Sequence, residues 1–384
     1  MQLKSISIYQ LRIPFRQSFE HARQSRDESD AVVVRVRDAE GNVGYGEGLP
    51  RPYVTGEDVH SMVAYLETRL APKVFATSFN PGWRTFEFLD SVASDWTRKD
   101  IEGKQVTAWN AAFCAIELAL IDWSLRRTDA SLGKFLSPAR DEVVYSGVVS
   151  ADSPEVAAAL ANRYVANGIR QLKIKVGTSG DVARLAAVRT AVGDGVELRA
   201  DANGAWSVED AIRCLGSLQP FRLACIEQPV AAEDFAGLKQ VREATGLRVM
   251  ADESLVTRAQ AEELIELEAC DLFNIRVSKN GGISGSLAIA KLARQAGIAV
   301  QVGAQVGETA ILSAAGRHLA AHVPSLAYAE GSFGKLLLTE DIGMEDLTFG
   351  QGGVAPALRG KGLGVTVREE LLKRFSVRKI ELQP

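Results

Sequence analysis

Five charged residues recur at near-equal intervals along the chain: Lys175, Asp201, Glu227, Asp252 and Lys279. Each closes a short apolar run, reading in turn QLKIKV, VELRAD, LACIE, RVMAD and LFNIRVSK. The three acids are hard oxygen donors. With no histidine or cysteine closing any of these runs, they suit Mg2+, or Mn2+, and not zinc. Gathered without a cation they would repel one another and raise at least one pKa. The lysines offer a second kind of chemistry. An amine beside a divalent cation is favoured in its neutral form and can take a proton from carbon. A hydrogen α to a carboxylate is too weakly acidic to leave unaided, and a metal on the carboxylate oxygens stabilises the enediolate that results. Lys173 precedes Lys175 by two residues, so both share one face of a strand and Lys173 adds positive charge there. Any one of these residues, alone, reads equally as a cap or a solvated loop position; the ordered set carries the argument.

Such a set requires a scaffold that brings successive strand ends to one rim, which is what a parallel β/α barrel does. From residue 143 the pattern supplies one. VVYSGVV precedes a helix opening at Ser153-Pro154-Glu155, a serine N-cap with proline at the first helical position. The five runs above follow, then IAVQVG and LAYAE, with helices expected near 181–192, from Ser207, near 233–245, from Thr257 (with Gln260 as capping-box partner), near 283–296 and near 308–322. Eight strands with helices between them predict a (β/α)7-8 TIM-type barrel, an α/β fold, over 131–350. Lys175, ending strand two, and Lys279, ending strand six, then stand across the barrel from each other. Residues 1–130 predict an α+β capping domain: strands to about residue 60, with AVVVRVRDAEGNVGYGEG as a hairpin turning at Asp38–Asn42, then helices of which AWNAAFCAIELALIDWSLRR is apolar nearly all round. The segment 351–384, Gly-rich, then GLGVTV, then the helix-like EELLKRF, is expected to return to that cap.

Bulk properties bound the partners. The chain has 384 residues, 46% hydrophobic and 24% charged, with a formal net charge of −4. That predicts two units and neither nucleic acid nor an anionic membrane as partner; the acids and lysines above predict a small-molecule carboxylate as substrate. The start, MQLKSISIYQLRIPF, reads as a strand and lacks the apolar centre of a signal peptide, so a cytoplasmic location is expected, together with a homo-oligomer. The four cysteines lie far apart in apolar segments and read as buried free thiols. No GxGxxG or GxxxxGK loop follows the first strand.

At this point the chain resembles the enolase superfamily, and within it the muconate lactonizing enzyme subgroup. The matching segments are KIKVG (173–177), DANGAW (201–206), EQP (227–229), ADES (251–254) and VSKNGG (277–282), with YGEG (45–48), AIELALIDW (115–123) and GLGV (362–365) outside the barrel. The resemblance implies Mg2+ on Asp201, Glu227 and Asp252, Lys175 and Lys279 as the acid/base pair, and Lys173 assisting electrostatically. It implies that cap segments around Phe15–Arg26 and Pro50–Gly56 close over the substrate. Candidate substrate contacts are Asn203, Gln305, Glu308, Glu330, Tyr53, Arg51 and His21, with Arg23 and Arg26 beside them; for the charged cap residues a solvent-facing position is the alternative. Where dipeptide epimerases of the subgroup carry Asp-x-Asp for a substrate ammonium, this chain reads AEGSFG, with Glu330 as one acid. Two opposed lysines fit a racemase/epimerase or a cycloisomerase. A dehydratase or o-succinylbenzoate synthase-type β-elimination is the second reading, and a Schiff-base lysine enzyme, which leaves the acids unexplained, the third.

Overall fold

The computed structural model describes residues 1–21, 24–98, 106–151 and 153–384, with side chains throughout except over 17–25. Strands are numbered in chain order. The cap begins with β1 (Leu3–Leu11), β2 (Ile13–His21), β3 (Gln24–Ser29), β4 (Val32–Asp38) and β5 (Val43–Gly48). β1, β4 and β5 form an antiparallel sheet, and β2–β3 is a separate hairpin. The β4–β5 turn closes as the sequence predicts: Asp38 accepts from the backbone N–H groups of Glu40 and Asn42, and Gly41 takes φ +91°.

The helix Asn110–Arg127 lies directly on β5, and its residues 110–125 are all buried. So close an approach needs glycine. A Cβ on Gly44, Gly46 or Gly48 would meet backbone atoms of that helix at 2.1–2.2 Å. The alternation of VGYGEG therefore records a helix seated on one face of the strand.

The second unit is an eight-stranded parallel sheet in sequential order: β7 (Gly147–Val149), β8 (Gln171–Lys175), β9 (Glu197–Asp201), β10 (Leu223–Glu227), β11 (Val249–Ala251), β12 (Leu272–Ile275), β13 (Ala299–Val302) and β14 (Leu326–Ala329). A parallel bridge between Tyr145 and Ala329, with Ser146 N–H donating to Ala329 O at 2.8 Å, brings the last strand back to the first and closes the barrel. Helices follow the first seven strands; after β14 the chain is irregular.

Three sequence readings are corrected. VVYSGVV is not one strand. It divides into β6 (Glu142–Val144), which pairs antiparallel with β15 (Val354–Pro356), and the first barrel strand β7. LFNIRVSK is not one strand either: β12 ends at Ile275, and Asn280, whose side chain accepts from Arg276 N–H, folds the remainder into a turn. The C-terminal tail ends in a strand beyond the expected helix. β16 (Ser376–Leu382) follows the helix Glu369–Phe375 and pairs antiparallel with β1, completing the cap sheet. Its charged, mostly exposed sequence is that of an edge strand, whose apolar signal is weak.

Buried carboxylates join the two units. Glu47 on β5 accepts from Thr309 N–H (2.9 Å), Thr309 Oγ1 (2.6 Å) and Leu312 N–H (2.9 Å), at the start of the barrel helix Ala310–His322. Glu117 accepts from Ile283 N–H (2.6 Å) and Ser284 N–H (3.0 Å), at the start of Gly282–Ala296. Glu57 does the same for Ala111 and Ala112 N–H, both at 2.9 Å, within the cap. These are the donors that a helix start leaves unpaired. Burial pushes each of the three carboxyls up to about 7 from 4.5, against those hydrogen bonds. A raised carboxyl pKa means that the folded state holds more protons than the unfolded one, so the associated stability is lost as pH rises through about 7. His318, lowered to about 4 by burial, acts in the opposite sense only below 6.5. The unfolding free energy from urea titrations at constant ionic strength is therefore expected to fall between about pH 6.5 and 8. A rise over that interval contradicts the assignment, and Glu47→Gln should flatten the slope.

Candidate active site

Strand register builds the site. Lys175 pairs with Asp201, and Asp201 with Glu227, so three strand-terminal residues stand side by side along the rim. Asp252 directly follows β11. Side chains two apart share a face, so Lys173 joins Lys175. Its ammonium lies 3.2 Å from Asp201 Oδ2, 3.2 Å from Glu227 Oε2 and 2.6 Å from Glu330 Oε2. Lys175 Nζ donates to Asp201 Oδ2 and Asn203 Oδ1, both at 2.7 Å. Lys279 comes from the turn after β12. Its ammonium donates to Asp252 Oδ1 (2.8 Å), Asp252 O (2.7 Å) and Asn274 O (2.7 Å), and is 1% exposed.

The electrostatics follow from this packing. Burial works against charge on Lys173, but Glu227, Glu330 and Asp201 outweigh it and raise its pKa. Burial likewise opposes charge on Asp201, and the Lys175 and Lys173 ammoniums hold it well below the usual carboxylate range. Lys279 is the reverse: burial, then the Arg276 guanidinium, hold it well below the ordinary lysine value. Glu253, beside Asp252, is raised by burial and by Asp201; its Oε2 has no hydrogen-bond partner among the described residues.

Arg276 was not singled out by spacing, yet its guanidinium bonds Asp252 Oδ2 and lies 3.7 Å from Glu227 Oε1. As they stand, the acids do not close into a metal cluster among the described residues. The Lys173 ammonium lies between Asp201 and Glu227, and the Arg276 guanidinium between Glu227 and Asp252. The donor set nevertheless fits Mg2+: three buried carboxylates, all-oxygen, on consecutive strand ends, with positive charge already at their shared edges.

A cavity of about 660 Å³ opens above this row. Lys173, Lys175, Asn203, Arg276, Gln305, Glu308 and Glu330 all line it, as do Arg51 and Tyr53 from the cap. Lys279 does not reach its wall and lies beneath Asp252. Asn203 is held at both ends, accepting from Lys175 and donating to Glu253 Oε1 at 3.0 Å, in a left-handed conformation with φ +46°. Glu330 is engaged by Lys173 and by Arg199 Nη2 at 3.0 Å, and although burial opposes its charge these two cations keep its pKa low. Glu308 accepts from Gln305 N–H at 2.8 Å, and burial pushes it up to about 8. Arg51 is no surface residue: it is 1% exposed and donates to Asp30 Oδ1 (2.9 Å) and Val306 O (2.6 Å), bracing the strand-seven loop. Arg26 pairs with Asp30 at 2.8 Å. The His21 side chain and Arg23 lie outside the described residues.

A supporting layer went unread. Asn274 donates to Glu227 Oε1 at 2.8 Å and Gln301 to Glu227 Oε2 at 3.3 Å; Arg199 bonds Gln301 and stacks over Tyr328 at 3.9 Å. The signal was present as polar residues inside runs that are otherwise buried, Asn274 in LFNI and Arg199 in ELRAD.

Comparison with known proteins agrees with this fold. A family model described as Enolase C-terminal domain-like matches residues 155–371. The chain is 32% identical over 371 residues to an L-Ala-D/L-Glu epimerase of Bacillus subtilis, covering 95% of this chain and 97% of that one. The crystal structure of an N-succinyl Arg/Lys racemase from Bacillus cereus superposes with a TM-score of 0.89 at 29% identity, each chain covered completely at 100%. That of a dipeptide epimerase from Cytophaga hutchinsonii, complexed with Mg and the dipeptide D-Ala-L-Val, gives 0.88 at 29% identity, again with 100% of both chains. Among the described residues no helix is long and apolar enough to cross a membrane.

Proposed function

This chain belongs to the enolase superfamily, in its muconate lactonizing and mandelate racemase-like group, and on that footing we propose that it racemises or epimerises an amino acid derivative at the carbon next to a carboxylate. One observation carries the reading: Lys175 and Lys279 come from β8 and from the turn after β12, half-way round an eight-stranded barrel from each other, with the acid row between them. Two bases on opposite faces of one carbon are what inversion needs. One lysine, as neutral amine, takes the α-hydrogen from its face. The other, as ammonium, returns a hydrogen to the opposite face, and the two exchange protonation states. Lys173, locked between acids, supplies a fixed positive charge for the substrate carboxylate. Asp201, Glu227 and Asp252 would hold Mg2+, with Mn2+ as the alternative ion. When bound, it would polarise the substrate carboxylate and stabilise the negative charge that develops on its oxygens.

The relatives support a substrate acylated on nitrogen. Dipeptides and N-succinyl amino acids both carry a carboxylate, an α-hydrogen and an amide on the same carbon. A cytoplasmic setting and a homo-oligomeric assembly complete the proposal.

The test is incubation of candidate acids in D2O with Mg2+, following α-hydrogen exchange and optical rotation. Exchange with loss of optical activity is expected. Loss of water or of a leaving group would turn the reading to β-elimination, and trapping by borohydride to a Schiff base. For the ion, Asp201→Asn should weaken Mg2+ binding by about tenfold or more in a direct calorimetric titration, and unchanged affinity would remove Asp201 from the ligand set.

A further inference from the structure

The cavity wall bears one side chain with nothing to do. Gln305 is 3% exposed, yet neither its Oε1 nor its Nε2 has a hydrogen-bond partner among the described residues. A buried carboxamide left unpaired is costly, so such groups are normally satisfied. Here the neighbouring loop is built to keep the side chain in place. Glu308 accepts from Gln305 N–H at 2.8 Å. Arg51 Nη2 binds Val306 O at 2.6 Å, and Ser29 Oγ binds Gly307 O at 2.5 Å. Three consecutive residues are thus fixed, two of them by the cap, and Gln305 lines the same cavity as Lys173 and Lys175.

The acids on that wall bear on what the cavity will accept. Glu330 is spent on Lys173 and Arg199. Glu308 gives one oxygen to the loop, and burial lifts it to about 8, which favours its neutral form near pH 7. The cations Lys175, Arg276 and Arg163 also line the cavity. An ammonium group entering it would meet these cations, and of the two acids on the described wall Glu330 is already paired to two cations while Glu308 is favoured neutral by burial.

We infer that Gln305 is a specificity-determining residue whose carboxamide pairs with the substrate's own amide, Oε1 accepting from the amide N–H, and that the preferred substrates are N-acyl amino acids whose acyl group bears no ammonium. This deepens the racemase/epimerase reading and rests on it. A trans secondary amide turns its N–H and its C=O to opposite sides, so one carboxamide meets only one of them, and Oε1 is the acceptor that the N–H requires. A site built around such a pair discriminates sharply against an analogue that lacks one half of it.

The test uses the full-length protein with Mg2+ in D2O and three families of acid with a common side chain: the N-acetyl amino acid, its glycyl dipeptide, and the O-acetyl 2-hydroxy acid, an ester that keeps the C=O and lacks the N–H. For the wild type, kcat/KM for exchange should be about tenfold or more higher for the N-acetyl compound than for either of the others. In Gln305→Leu the amide-to-ester ratio should fall by about 10- to 100-fold, exchange from the amide falling by much more than exchange from the ester. Gln305→Glu, which keeps the acceptor, should lie between the two. A wild-type preference for the dipeptide overturns the ammonium-free substrate. An amide-to-ester ratio unchanged in Gln305→Leu overturns the pairing, and the wild-type ratio alone decides the substrate class if that variant fails to fold. Exchange from the wild type with the dipeptide preferred refutes this inference and leaves the racemase/epimerase reading standing; no exchange from any of the three refutes both.

Discussion

Lys175→Ala and Lys279→Ala are each expected to abolish racemisation, with kcat/KM falling by about 10³-fold or more, within the range that a lost general acid or base costs. The sharper expectation concerns which half of the reaction survives. With bases on opposite sides of the barrel, each enantiomer presents its hydrogen to one lysine only. In D2O the wild type should exchange the α-hydrogen of both antipodes. Lys175→Ala should retain exchange from one and Lys279→Ala from the other, neither passing on to the mirror image. Lys175 meets the cavity directly, held at 2.7 Å by Asp201 and Asn203. Lys279 lies under Asp252, tied to two backbone carbonyls and one carboxylate oxygen. Its loss should leave Asp252 short of a partner, so the folded state of that variant must be checked by thermal melting alongside. If both variants spare the same antipode, the opposed-base arrangement is wrong. If either variant keeps full turnover, that lysine is not a base.

The second large effect is on stability. Gly46→Ala should destabilise the protein by about 3 kcal/mol or more, the upper end of what inserting a methyl into a close-packed core costs. Its Cβ would lie 2.1 Å from Ala115 O and 2.4 Å from Ala119 N. Both are backbone atoms of a helix buried along residues 110–125, so neither can step aside without moving the whole helix. Urea denaturation measures this directly. A loss below about 1 kcal/mol would mean that the strand and helix separate more easily than their packing implies. Gly41→Ala makes a useful control of the opposite kind, since the nearest atom to its Cβ is the Arg37 side chain at 3.7 Å and the penalty there is conformational, from φ +91°.

What could be read without coordinates was what repeats. The strand-end charges Lys175, Asp201 and Glu227 stand in register because each closes a strand of the same kind, and a regular period survives in one dimension. The Thr257–Gln260 capping box was legible for a similar reason, since both partners lie within one turn. Lys279 was placed correctly around the barrel and wrongly along it. The apolar run does not reveal that β12 stops at Ile275 and that a turn folds the lysine inward. Arg51, Glu330 and Asn203, candidate substrate contacts, do line the cavity, and their polar atoms are also held by Asp30 and Val306, by Lys173 and Arg199, and by Lys175 and Glu253. Those partners lie far away in sequence, and no local pattern announces them. Arg276, three residues before Lys279 and beside two of the ladder's acids, shows the same gap.

Glu47 and Glu117 have an effect that reaches past stability. Each belongs to the cap, yet each holds the first turn of a barrel helix: the one entered directly from the Gln305–Glu308 loop, and the one entered directly from the Lys279 turn. The two units are therefore not interchangeable modules. A barrel excised from its own cap, or grafted onto a foreign one lacking acids at these two places, would keep its eight strands and lose the anchors of the segments that carry its amine and its amide. New substrate preferences in this chain should arise by replacing side chains within the joined pair, and recombination at the domain border should yield soluble but silent chimeras.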